Sequence, residues 1–177
     1  MGKRSYTVTE EHSKFRLRFV FFSHGQKSIV KIIDYDYVGQ INGRETFNLA
    51  LGDYDADSGK IHDDANTLNG DAYLVLNTVL NTIPLFFKHY PNHTLMIRGS
   101  DSSSEFLENC KNSCTKNCDS IELCKNYNRR IKIYSGYVSA NYYQLQEDFD
   151  FFGSQDGIVE PFERYKRYDI VFIQKKN

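Results

Sequence analysis

All four cysteines of the chain fall within fifteen residues, as Cys110, Cys114, Cys118 and Cys124. Thiolates are the ligands a structural zinc prefers, so the cluster nominates these four for one metal ion. The paired C-x2-C knuckles of common zinc sites are absent, and the spacing sets a condition. On one straight helix Cys110 and Cys118 lie ~12 Å apart at ~1.5 Å rise per residue. That is too far for one tetrahedral ion with ~2.3 Å bonds. A shared zinc therefore requires the chain to reverse near residues 117–120, where Asn-Cys-Asp-Ser permits a turn. Two other readings stay open. With Leu107 and Ile121 the cysteines form an apolar stripe of core thiols, or they pair as disulfides, which a reducing compartment disfavours.

A second chemistry is written in arginine and tyrosine. Residues 126–134 interleave Arg129, Arg130 and Lys132 with Tyr127 and Tyr134, and Arg130 and Tyr134 stand one helical turn apart. Guanidinium groups grip phosphates through two parallel hydrogen bonds and tyrosines stack on bases, which is the signature of RNA or a phosphate-bearing ligand. Arg164, Tyr165, Lys166, Arg167 and Tyr168 repeat the composition. The competing reading is a solvated helix start whose arginines pair with neighbouring acids. Arg98-Gly99-Ser100-Asp101 marks a strand end, where backbone N–H groups and a serine hydroxyl collect ligands. Arg98 and Ser100 thus join Arg129, Arg130 and Tyr134 as candidate ligand-binding residues. The alternative there is a bend at Gly99 with Ser100 or Asp101 as a helix cap.

Asp53, Asp55, Asp57, Gly59 and Asp64 approach a calcium loop, but counted from Asp53 the glycine falls at position seven rather than six. An acidic hairpin fits better. The five histidines show no metal spacing, since Pro91 separates His89 from His93. Glycine-rich phosphate loops, H-E-x-x-H and G-x-S-x-G are all absent.

The elements that must position these groups follow from periodicity. Alternating apolar residues over 14–23, then 28–38 and 44–53, predict an antiparallel meander. Asn69-Gly70-Asp71 starts a helix predicted to run to about Tyr90, with Leu76, Leu80, Ile83, Phe87 and Tyr90 on one face and a kink or early end at Pro84. A short strand at 94–99 follows, and then the cysteine segment. Ile131, Tyr134, Val138, Tyr142, Leu145 and Phe149 predict a second long helix. Strands at 149–153 and 168–174 close the chain around a loop at 154–167. The expected fold is α+β: one domain over 1–177, helices packed on a mainly antiparallel sheet, with 102–128 as a cysteine-bearing helical excursion.

With 22 basic and 23 acidic side chains in 177 residues the net charge is −1, so no global field draws the chain to nucleic acid or lipid. The charge is nevertheless blocked. Residues 53–74 hold six acids and one lysine, 111–135 six bases and two acids, 136–163 six acids and no base, and 164–177 five bases and one acid. No apolar run approaches the ~20 residues of a membrane helix. Residues 1–11 carry no apolar signal core, so the expected location is the cytoplasm, with no membrane partner.

The run Phe47-Asn48-Leu49-Ala50-Leu51-Gly52-Asp53-Tyr54-Asp55, then Asn69-Gly70-Asp71, Tyr90-Pro91, Gly99-Ser100 and the arginine-rich helix start ending in Tyr134 resemble an uncharacterised family of small bacterial α+β proteins carrying a domain of unknown function. The resemblance spans roughly residues 47–175. It implies that 102–128, with all four cysteines, is an insertion or a subfamily feature between the Gly-Ser strand end and the arginine helix, and it supplies no activity. The leading expectation is a protein that binds, cleaves or modifies RNA or a phosphate-bearing ligand, in a toxin or defence setting. The alternatives are an acyl-transfer enzyme using a phosphate-bearing cofactor at Ser100, and a zinc-stapled module that docks a protein partner.

Overall fold

The computed structural model describes residues 4–62, 69–99 and 127–176, with Asp101, Phe106, Glu108, Cys110, Asn112 and Cys124. The architecture is α+β, and the chain divides into two compact units, Met1–His93 and Thr94–Asn177.

The first unit runs β1 (Thr9–Ser13), β2 (Arg16–Ser23), β3 (Ile29–Ile41), β4 (Arg44–Asp55), β5 (Lys60–His62) and α1 (Ala72–His89). Each strand pairs antiparallel with the one before it. The expected meander is present, with a strand added at each side. All five residues of β1 are exposed and none is apolar, so alternation gave it no signal.

Register explains the core. Leu17, Tyr35 and Leu49 stand opposite one another, as do Phe19, Ile33 and Leu51, and then Phe21, Lys31 and Asp53. Residues directly opposite share a face, so these three rows line one side of the sheet. The first two rows are apolar or aromatic, and Tyr35 stacks on Phe86 of α1 at 4.8 Å. The third row turns polar.

α1 buries Val75, Thr78, Val79, Thr82, Ile83, Phe86 and Phe87, a face rotated from the Leu76–Leu80 side that the leucines suggested. The difference lies in the threonines. Thr78 donates to the Leu74 carbonyl at 2.7 Å and accepts from the Tyr6 N–H at 2.9 Å, while Thr82 donates to the Val79 carbonyl at 2.6 Å and meets the Tyr35 hydroxyl at 2.7 Å, so both hydroxyls are buried with partners on either side. The helix also runs unbroken through Pro84. Pro84 is exposed, where water can serve the Leu80 carbonyl that has lost its helical donor.

The second unit contains β6 (Thr94–Arg98), α2 (Arg129–Leu145), β7 (Phe149–Gln155), β8 (Ile158–Pro161) and β9 (Ile170–Lys175). The strands pair antiparallel in the order β6-β9-β7-β8. β9 is central in this group, and Val171, Phe172 and Ile173 are all buried. The region expected to be a loop holds β8, joined to β7 through Asp156 (φ 51°) and Gly157 (φ 81°). Asp-Gly is the preferred pair for a two-residue hairpin turn, and that signal stood in the sequence.

Phe149, where the second helical pattern and the expected strand at 149–153 overlapped, opens β7. Tyr142 of α2 packs on Phe151 and Phe162 with ring centroids 6.1 and 5.9 Å away. Beside them Tyr168 lies over Gly153 so closely that a Cβ there would stand 2.2 Å from its ring. Of the cysteine segment, Phe106, Glu108, Cys110 and Asn112 are helical, and most of the predicted excursion lies outside the described residues. Among the described residues no helix is long and apolar enough to cross a membrane.

Candidate functional site

Three of the five expected ligand residues, Arg129, Arg130 and Tyr134, lie on α2. Arg129 is exposed in its first turn, Arg130 is half-buried, and Arg98 is exposed at the end of β6, while Ser100 lies outside the described residues. The helix start already holds an anion of its own. Asp101 Oδ2 accepts from the Arg130 backbone N–H at 2.9 Å, and the Asp101 carbonyl accepts from the Asn128 N–H at 3.1 Å. Asp101 therefore caps α2 from 29 positions upstream, and its carboxylate takes the seat a phosphate would occupy. Burial pushes the Tyr134 phenol up to about 12, with the Arg130 charge acting in the opposite sense, so the expected Arg130–Tyr134 neighbourhood exists.

Arg129, Lys132, Gly136, Ala140 and Tyr143 are all exposed and recur at steps of three, four, four and three. They form one solvent-facing stripe along α2 that contains no acid. At its far end Tyr143 meets Arg164. The Arg164 guanidinium lies 4.7 Å from the Tyr143 ring centre and 5.0 Å from that of Tyr165. Its Nε donates to the Ser139 carbonyl at 2.9 Å and its Nη2 to the Tyr165 hydroxyl at 2.9 Å. Hydrogen bonding to Tyr143, and then to Tyr165, raises the Arg164 pKa above the ordinary arginine value.

Tyr165 has φ 65°, a left-handed conformation that costs a bulky residue about 1–3 kcal/mol. Its backbone N–H donates to Ser139 Oγ at 3.0 Å, which holds it there. The two rings remain 67% and 75% exposed for Tyr143 and Tyr165. The rest of the second basic cluster behaves differently. Lys166 pairs with Glu160, and Tyr168 is a buried core residue whose hydroxyl donates to Glu160 at 3.0 Å.

The first unit holds a polar centre that sequence reasoning missed. Lys31 Nζ donates to Asp53 Oδ1 at 2.5 Å within the sheet's inner face, and Asp53 Oδ2 is buried with no hydrogen-bond partner. Nearby, Asp71 Oδ2 accepts from Ser23 Oγ at 2.6 Å and Tyr6 Oη at 2.7 Å, and Asn69 Nδ2 donates to Ser23 Oγ at 3.0 Å. Burial, the largest influence on Asp71, pushes its pKa up. The Ser23 and Tyr6 hydrogen bonds and the Lys31 charge prevail over it and hold the carboxyl below its ordinary value. The one available signal was a lysine in the inward-facing set Lys31, Ile33 and Tyr35.

The acidic run around this centre is a turn. Asp55 accepts from Ser58 Oγ at 2.7 Å and from the Asp57 N–H at 3.0 Å, as an acidic hairpin requires, and Asp64 lies outside the described residues. Elsewhere in this unit two side-chain bridges tie β1 to the end of α1. His12 Nε2 meets Tyr90 Oη at 2.7 Å, and His89 Nε2 meets Glu10 Oε1 at 2.7 Å.

Of the cysteines, Cys110 and Cys124 approach to 3.9 Å between sulfurs, well beyond the ~2.05 Å of a disulfide bond. Cys114 and Cys118 lie outside the described residues. Among the described residues no group of three or more His, Cys, Asp or Glu side chains is arranged to hold a metal ion.

A family model matches residues 2–108, and its description is a family of unknown function, DUF6934. The match takes in the segments at 47–55, 69–71, 90–91 and 99–100 that carried the resemblance, and it reaches further toward the N-terminus. It ends before Arg129, so the arginine-rich helix is not part of it. No curated protein and no solved structure matches the chain.

Proposed function

Because the chain belongs to this family of unknown function, its activity must be inferred from its own residues, and we propose that it binds RNA along the exposed face of α2. The supporting observation is the acid-free stripe that begins with Arg129 and Lys132 and ends on Tyr143 beside Arg164. Bases on a helix face attract a phosphate backbone through counterion release, which operates locally even when net charge is near zero. The Asp101 cap removes the helix start itself as a phosphate seat, so recognition moves to the side of the helix. Replacing Arg129 and Lys132 with alanine is expected to weaken binding of single-stranded RNA and to lower the slope of log affinity against log salt by about 1.4, at ~0.7 per phosphate contact on a single strand. Fluorescence anisotropy at several salt concentrations measures it, and an unchanged slope refutes the reading.

One distance favours a second reading, a zinc-stapled cysteine segment. Two thiolates on a tetrahedral zinc with ~2.3 Å bonds stand about 3.8 Å apart. Cys110 and Cys124 stand 3.9 Å apart. These two would supply half of a four-thiolate site, and the metal would hold the segment together rather than react. Elemental analysis of protein purified without added zinc is expected to give about one zinc per chain, lost when Cys110 and Cys124 become serine. Absence of stoichiometric metal removes this reading.

A further inference from the structure

We propose that Tyr143 and Tyr165, bracketing Arg164, form a stacking platform for the unpaired bases of a single-stranded RNA. The inference rests on the proposed binding along α2 and adds what distinguishes an RNA strand from any other polyanion. Here two rings flank one guanidinium at 4.7 and 5.0 Å, and the arginine is fixed in turn by the Ser139 carbonyl. The backbone of Tyr165 is held at φ 65° by Ser139 Oγ, so α2 itself positions a strained, outward-facing ring. Strained backbone of this kind clusters at binding and active sites.

The charges around the platform select the occupant and its direction. Past the end of α2 the exposed charges close by in sequence are Glu147, Asp148 and Glu163 against Arg167, a net negative set. In the other direction α2 carries no acid, and Arg129 lies fourteen residues, about 21 Å, from Tyr143 at ~1.5 Å per residue. A strand with its bases on Tyr143 and Tyr165 therefore directs its backbone toward Lys132 and Arg129, over Gly136 and Ala140, whose small side chains leave the face low. Aromatic faces accept any base, so the expected preference is for single strands over duplex, with little sequence selectivity.

The test compares a fluorescent oligouridylate with an abasic strand of the same length and charge. The unaltered protein is expected to bind the base-bearing strand roughly five- to a hundredfold more tightly, the range for one stacked base. Tyr143→Ala with Tyr165→Ala is expected to abolish that preference, while Tyr143→Phe with Tyr165→Phe retains it. Photocrosslinking of a 4-thiouridine strand to the unaltered protein, read by mass spectrometry, is expected to label Tyr143 or Tyr165 and needs no variant to fold.

Equal affinity for the two strands, or crosslinks confined to other residues, overturns the platform. If that equal affinity still falls with Arg129→Ala and Lys132→Ala, binding along α2 survives without it. If neither strand binds, both readings fall. Saturable binding of an aromatic peptide to the two rings, with no RNA bound, also overturns the platform and assigns it to a protein partner.

Discussion

At the scale of single residues, the most demanding group is Lys31. Its side chain is 7% exposed and that of Asp53 12%, so their pairing takes place largely out of water. Removing one partner of such a pair leaves a buried charge uncompensated, which costs about 3–5 kcal/mol, whereas replacing both with apolar groups of similar size is often neutral. Lys31→Ala is therefore expected to lower Tm by about ten degrees or more, and Lys31→Met combined with Asp53→Leu to recover most of it. Thermal denaturation of the three proteins checks this, and a double variant no better than the single one contradicts it. The same residues show what the sequence concealed. Asp53 was visible as an acid in a run of acids, but its partner lies 22 positions away across a strand pair, and only register brings them together. Arg130 and Tyr134 were legible because a helical turn is a local relation.

At the scale of elements, legibility followed apolar content. β2, β3, β4, β6 and β9 each bury aliphatic or aromatic residues and were anticipated within a few positions. β1 and β5 are exposed throughout and were missed, because nothing but a neighbour's hydrogen bonds makes them strands. α1 was anticipated in extent and at Ile83 and Phe87, which are buried as expected, but its buried face also takes in Thr78 and Thr82, whose hydroxyls find partners in their own helix and at Tyr6 and Tyr35. Its proline gives the test. Pro84 is exposed and interrupts an otherwise continuous ladder, so Pro84→Ala restores a donor to the Leu80 carbonyl. A rise in Tm of a few degrees is expected, moderated by the greater freedom the alanine chain gains on unfolding. A fall in Tm shows that the ring itself stabilises the helix.

At the scale of the whole molecule, the family match and the proposed RNA surface occupy different stretches of chain. The match stops at residue 108, while the stripe on α2 and the tyrosines around Arg164 come later. The matched stretch takes in the first unit, where Lys31, Asp53, Asp71 and Ser23 lie, and the basic face belongs to the remainder. The alternating acidic and basic blocks read in the sequence correspond in part to this division: the turn around Asp55 is acidic, and the start of α2 is basic. One feature of the first unit bears on how the molecule behaves in company. β1 is the outermost strand of its group, polar along its whole length, and fastened to α1 through His12–Tyr90 and Glu10–His89. It covers β2, whose Leu17, Phe19 and Phe21 are the kind of alternating strand that recruits copies of itself once its backbone is bare. Five polar residues, held by two histidine contacts, thus occupy the backbone edge that β2 would otherwise offer to a neighbour.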